Sequence, residues 1–383
     1  MPKYRFDEIA INSTEKKKPT ETDKETYIGL EHLDSGILEV TRWGAEVAPV
    51  GDKLVMRKGD ILFGRRRAYQ KKVAIAPFDG IFSAHGMVLR PIETVISKEF
   101  FPFFISSDYF LDAAIQISVG SLSPTINWRD LCKLEFEIPT IEEQRELSPI
   151  LWGMNRLKAA YSNLLQQMDA LVQSQFVEMF INTCEYPTVH LNEVSVVTSG
   201  LTKNPNRPTF HRKMKYLRVA NVLYDQIDLE DVQEIGVQDA EVEKASLHAG
   251  DVLFVEGNGS PDQIGRVAVW DGQMEPMLHQ NHIIKARPDS GKVNPRYIMH
   301  YFMTTDGRNQ ILSSAKTTSG LYTLSLSKIA EFTIPLPPME AQQSFIALVD
   351  QADKSKFTCA LQEKMLNVAS KVTISYGNMI QSY

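Results

Sequence analysis

The chain has 383 residues, 43% hydrophobic and 23% charged, the balance of a globular protein with room for two ordinary domains. A formal net charge of -6 excludes a uniformly basic nucleic-acid coat but not a basic patch on an acidic body. No apolar signal region opens the chain and no stretch approaches ~20 apolar residues, so a cytoplasmic protein without a membrane span is expected.

Taken in order, the elements are met twice. Phe6-Asp7-Glu8-Ile9-Ala10 is answered by Leu191-Asn192-Glu193-Val194-Ser195, and Tyr27-Ile28-Gly29-Leu30 by Tyr216-Leu217-Arg218-Val219. Gly59-Asp60-Ile61-Leu62-Phe63 returns as Gly250-Asp251-Val252-Leu253-Phe254, and Val73-Ala74-Ile75 as Val267-Ala268-Val269. Each copy opens with short strand-like runs bounded by Gly, Pro or Asp, among them Ile61 to Phe63, Lys72 to Ala76 and Met87 to Arg90. Helical stretches follow around Glu99 to Ile115 and Pro295 to Ser313, and each copy closes at a Pro-marked strand end, Ile138-Pro139 or Ile334-Pro335. The offset grows from 185 at Phe6 to 191 at Gly59 and 198 at Gln144, so order is kept while loops lengthen. Such a period is far above that of solenoid repeats, and each copy is a whole domain with an appendage.

The appendage is helical. After Ile141, apolar residues recur at Ile150, Met154, Leu157, Tyr161, Leu164, Met168 and Leu171, alternating steps of four and three, which predicts one long helix with a heptad seam. A less regular version runs from Glu340 to near Met379 through Phe345, Leu348, Ala352, Leu361, Met365, Val368 and Val372. Domains are therefore expected at 1–140 and 183–338, with helices at 141–182 and 339–383. About 40 residues at ~1.5 Å rise make a rod of roughly 60 Å. A second helix running back antiparallel along the first would leave two related domains at opposite ends, about a pseudo-two-fold axis. The expected fold class is α+β: two duplicated β-rich domains joined by two long antiparallel coiled-coil helices.

Catalytic signatures are missing. The only Gly-Lys, at 291 and 292, is followed by Val293, so there is no P-loop, and no Pro-Asp is followed by the Asp/Glu-x-Lys of a metal-dependent nuclease. The Gly257-Asn258-Gly259 stretch reads as a tight turn. His279 and His282 have metal-like spacing without a second ligand pair, and Cys132, Cys184 and Cys359 lie far apart as reduced thiols, so no metal site is expected. Binding chemistry is richer. Arg65, Arg66 and Arg67 follow a strand, with Lys71 and Lys72 close behind, and Arg212 and Lys213 anchor a basic stretch in the second copy. Such clusters suit phosphates, and guanidinium forks suit guanine O6 and N7. The loops Ser118 to Ser123 and Thr317 to Leu321, with Ser121 and Ser319, offer hydroxyls beside glycine for close approach to phosphate, or are plain turns.

Taken together, Gly-Asp-Ile-Leu-Phe at 59 to 63 followed by Arg, the Val-Ala-Ile strand, Leu89-Arg90-Pro91 and the Ile-Pro…Glu-x-Gln start of a long helix at 138 to 144 resemble the specificity subunits of type I restriction-modification systems. The resemblance covers both copies. It implies that each β-rich domain is a target-recognition domain reading one half of a split double-stranded DNA site. It also implies that the helices separate the halves and dock two methyltransferase subunits, with restriction/translocase subunits joining for cleavage. This chain would then be non-catalytic and hold no cofactor, its partners using S-adenosylmethionine, ATP and Mg²⁺. At offset 191, Arg65, Arg66 and Arg67 fall on Glu256, Gly257 and Asn258, so the halves should differ. Glu256 suits cytosine N4 and Asn258 adenine. Two rivals remain on sequence alone: a related system whose methyltransferase and nuclease share one partner chain, and a protein-protein scaffold with no DNA role.

Overall fold

The run Ile61–Phe63 has no polar residue for either face of a strand, and successive side chains leave on opposite faces, so the strand must be covered on both sides. The computed structural model describes residues 1–379 except 184, 203 and 319, with backbone alone at 317, 318, 363, 364 and 367–379. Cys184 and Ser319 therefore lie outside the described residues, as do the side chains of Val368 and Val372. The chain divides into two units, Met1–Asn163 with the chain from Ala360 onward, and Leu164–Cys359.

In the first unit the strands Ala10–Ser13, Met87–Pro91, Ile61–Phe63 and Val73–Ile75 form an antiparallel sheet in that order. Ile61, Phe63, Val73 and Leu89 enter a core with Phe6, Phe104, Phe110 and Phe136. Leu62, Ala74 and Val88 enter a second core on the other face, with Ile28, Leu54, Met56 and Phe82 supplied by a second four-stranded sheet. The second unit repeats this with Ser195–Ser199, Ile283–Pro288, Val252–Val255 and Val267–Val269. Val252, Phe254 and Ile284 go to one core, and Leu253, Val255 and Ile283 to the other. Both units mix helices and sheets, an α+β duplication.

Each expected helical stretch is two helices. Phe101–Ser106 and Asp108–Gln116 are parted by Ser107, whose side chain caps the second by accepting from Phe110 N. Pro295–Met303 and Thr305–Ser314 are parted by Thr304 in the same way. A hydroxyl cap satisfies the amides of a new first turn, so the chain bends without a proline.

The terminal ladder of each unit, Lys3–Arg5 with Glu135–Glu137 and Thr188–His190 with Thr333–Pro335, leads into a long helix, Ile141–Phe176 or Met339–Met379. The Glu-x-Gln motif fixes its start. Gln144, wholly buried, accepts from Ser97 N at 2.7 Å and donates to Val95 O and Pro139 O at 3.0 and 2.8 Å. Gln342 accepts from Asn294 N at 2.8 Å and donates to Lys292 O and Pro337 O at 3.1 and 2.9 Å. Pro149 stands inside the first helix, removing one amide donor near its start.

Both long helices contribute to both units. In the first, Leu366 shares the wall of a cavity of about 430 Å³ with Leu151 and Met154. In the second, Lys356 pairs with Asp169 at 2.8 Å. The expected seam is split: Met154, Tyr161 and Met168 are half-buried, whereas Ile150, Leu157, Leu164 and Leu171 are exposed. Among the described residues no helix is long and apolar enough to cross a membrane.

Candidate nucleic-acid interface

In each unit three segments, distant in sequence, meet beyond the end of the central strand. They are the chain leaving that strand, the turn after a strand of the second sheet, and the small-residue loop. In the first unit Ile126 N donates to Arg65 O at 2.9 Å and Ala68 N to Pro124 O at 3.2 Å, while Arg66 bridges Thr125. In the second unit the matching bond runs from Leu324 N to Glu256 O at 2.8 Å. Here Gly257–Asn258 is a short strand paired with Leu321–Thr323. The Gly-x-Gly stretch is thus an edge of a three-stranded sheet with Lys316–Thr318 rather than the expected tight turn. The shared bond places Arg65 and Glu256 at one structural position, as the offset of 191 requires.

The turn carries a histidine in both units. Arg65 Nη2 donates to Ala84 O at 3.4 Å, and Arg66 Nη1 lies 3.4 Å from His85 Nε2. Burial, then the charges of Arg66, Arg65 and Lys53, hold His85 below its usual pKa. Arg66 Nε donates to Ser123 Oγ at 3.1 Å, so loop and turn grip the guanidinium from two sides. Arg67 is exposed on a left-handed backbone, φ 54°, and Ser121 is exposed in the loop that the Val119–Thr125 bridge closes. In the second unit Glu256 N donates to His282 O at 2.9 Å, and its carboxylate meets His282 Nδ1 at 2.8 Å. Asn258 Oδ1 accepts from Ser260 N at 3.0 Å.

The other candidate residues are engaged locally. Lys71 sits 2.8 and 2.7 Å from Asp108 and Asp112, hydrogen bonds that raise its pKa and neutralise the charge the sequence reading assigned to phosphate. Lys72 Nζ donates to Leu30 O at 2.6 Å. Arg212 pairs with Asp239 at 2.6 Å, and Lys213 Nζ donates to Pro208 O at 3.1 Å. Nearby Arg207 is a structural cation: 5% exposed, it meets Glu241 at 3.1 and 3.2 Å and donates to Thr202 O and Gly236 O. The sequence reading missed His85 and His282 as site residues, although they too stand at a repeat offset, 197. His279 is no neighbour of this chemistry. It is wholly buried, bonded through Nδ1 to Ala245 O, and pushed by burial to a pKa of about 4. Among the described residues no group of three His, Cys, Asp or Glu is placed to hold a metal.

Two copies of one α+β unit, each presenting a polar recess closed by one matching backbone bond, define a duplicated recognition protein. The family model for the type I restriction modification DNA specificity domain matches residues 8–162 and again 185–366. The chain belongs to this family of type I restriction-modification DNA specificity proteins. It is 26% identical over 324 residues to the EcoKI specificity subunit of Escherichia coli (strain K12), covering 80% of this chain and 68% of that protein. To the StySPI specificity subunit of Salmonella potsdam it is 23% identical over 326 residues, with the same coverage of 80% and 68%. A solved chain from a study of type I R-M complex assembly and conformational transition superposes with TM-score 0.55 at 17% identity, over 98% of this chain and 97% of that one. The crystal structure of a type I S subunit from M. genitalium gives TM-score 0.50 at 13% identity, over 97% and 94%. At these identities the structural likeness speaks for the fold.

Proposed function

We propose that this chain targets a type I restriction-modification complex to a split, asymmetric site in double-stranded DNA, each unit reading one half. The observation that carries this is the repeated frame with unlike side chains: Arg65, Arg66 and Arg67 in one unit, Glu256, Gly257 and Asn258 in the other. One frame at two places suits two similar objects, and unlike side chains suit unlike sequences. The chain is the non-catalytic member, acting in the cytoplasm with two methyltransferase subunits and with restriction/translocase subunits that use S-adenosylmethionine, ATP and Mg²⁺. The exposed Ile150, Leu157, Leu164 and Leu171, seven residues apart on the first long helix, give those subunits an apolar stripe to cover.

Co-expression with the cognate methyltransferase, followed by genome-wide mapping of methylated bases by single-molecule sequencing, tests this reading. The expected result is a motif of two different halves separated by a constant gap. A continuous motif, or two identical halves, contradicts it.

A further inference from the structure

The polarity of hydrogen bonding in each recess follows from its partners. We propose that the first recess reads a guanine through donors, and that the second reads an exocyclic amine, cytosine N4 or adenine N6, through acceptors, with His85 and His282 helping to set that polarity. This rests on the reading of each unit as a half-site reader and adds the class of base each takes.

Arginine has only donors, so His85 Nε2, 3.4 Å from Arg66 Nη1, must present its lone pair. The imidazole acts there as an anchor. With Nε on Ser123 Oγ, the Arg66 guanidinium is fixed in direction while Nη2 has no partner among the described residues. Nη1 carries a second hydrogen beside Nη2, and these two nitrogens make a fork that matches the adjacent acceptors O6 and N7 of guanine in the major groove.

The second recess inverts this logic. A carboxylate only accepts, so His282 Nδ1, 2.8 Å from Glu256 Oε2, carries a proton and donates. In the neutral ring Nε2 then holds the lone pair. His282 and Glu256 side chains are 46% and 29% exposed, and Glu256 Oε1 and His282 Nε2 have no partner among the described residues. Two acceptors therefore face outward where the first unit has a cation, because Gly257 replaces Arg66. Acceptors recognise the exocyclic amines of cytosine and adenine. Asn258 separates the two: its Oδ1 is occupied by Ser260 N, which leaves the amide nitrogen as a donor for adenine N7.

The test uses the full chain assembled with its methyltransferase subunits and duplexes carrying the mapped motif. In the first half-site, guanine is replaced by 7-deazaguanine, which lacks the N7 acceptor. In the second, adenine or cytosine is replaced by its analogue lacking the exocyclic amine. Each analogue is expected to weaken binding of the native complex about tenfold. The first effect should vanish in Arg66→Ala and the second in the double variant Glu256→Ala/His282→Ala, which leaves neither acceptor. Asn258→Ala should weaken binding further only if the base is adenine. Analogue effects that persist in these variants, or a native complex indifferent to the analogues while its mapped motif is split, overturn the inference alone. Absence of a split motif overturns the half-site reading as well.

Discussion

Where the first unit buries Phe82 and Phe103, the second buries His279 and His300, and where the first exposes Arg66 the second has Gly257. Other positions do not change. Asp60 grips Arg90 through two bonds of 2.7 and 2.8 Å, and Asp251 grips Arg287 through two bonds of the same lengths. The second carboxylate oxygen of each also accepts a backbone amide at 2.8 Å, from Arg57 or His248. Gly59 and Gly250, at φ 91° and 94°, make the turn that puts each aspartate there, a backbone region that a side chain disfavours. The difference teaches which residues hold the frame and which are free to change. The buried aspartates with their arginines and the Gln clamps at the helix starts fix the backbone, so recess residues can vary without moving it.

If the frames are equivalent, breaking either should cost alike. Asp251→Ala and Asp60→Ala each remove two bonds to an arginine and one to a backbone amide. With Arg287 40% and Arg90 28% exposed at the side chain, water can reach the cation left behind, and each variant should lose about 2 kcal/mol in urea unfolding of the full chain. A loss in only one unit would show that the frames are held by different means.

Acid should separate the units. Burial lowers His279 and His300 from 6.5 to about 4, so between those values the folded second unit binds fewer protons than its unfolded chain. Its stability is then full above pH 6.5 and falls as pH drops toward 4, by roughly 2 kcal/mol per histidine at pH 5. Phe82 and Phe103 give the first unit no such term at these two positions, and its acid sensitivity comes from His32 and His85, which burial also lowers. Burial also raises Asp225 to about 6, so this carboxyl binds its proton more readily in the folded unit and offsets part of the fall. Unfolding of the full chain at pH 7.5 and pH 5 should still show a net fall, and His300→Phe should remove most of it; an equal fall in that variant would locate the sensitivity elsewhere.

Much of this was legible in the sequence. Runs of two-sided apolar residues marked the central strands, and the repeat offset aligned Arg65 with Glu256 before the shared backbone bond was seen. What could not be read was long-range closure. Arg66 meets Ser123 from 57 residues away, and Lys71 finds Asp108 from 37 away, so neither the recess nor the neutralised lysine follows from local pattern. Arg207 reads as surface charge until Glu241, 34 residues on, buries it. Heptad spacing likewise told which residues share a helix face, but not what covers them, and half of that face is exposed.

The claim that each unit reads its own half-site is tested most directly by a double-mutant cycle on DNA binding of the assembled complex. Arg66→Ala and Glu256→Ala are each crossed with a scrambled first half-site and a scrambled second half-site. Arg66→Ala should couple to the first half-site by about 1 kcal/mol or more and to the second by nearly none, with Glu256→Ala showing the reverse. Equal coupling of either residue to both half-sites, or to neither, would contradict it.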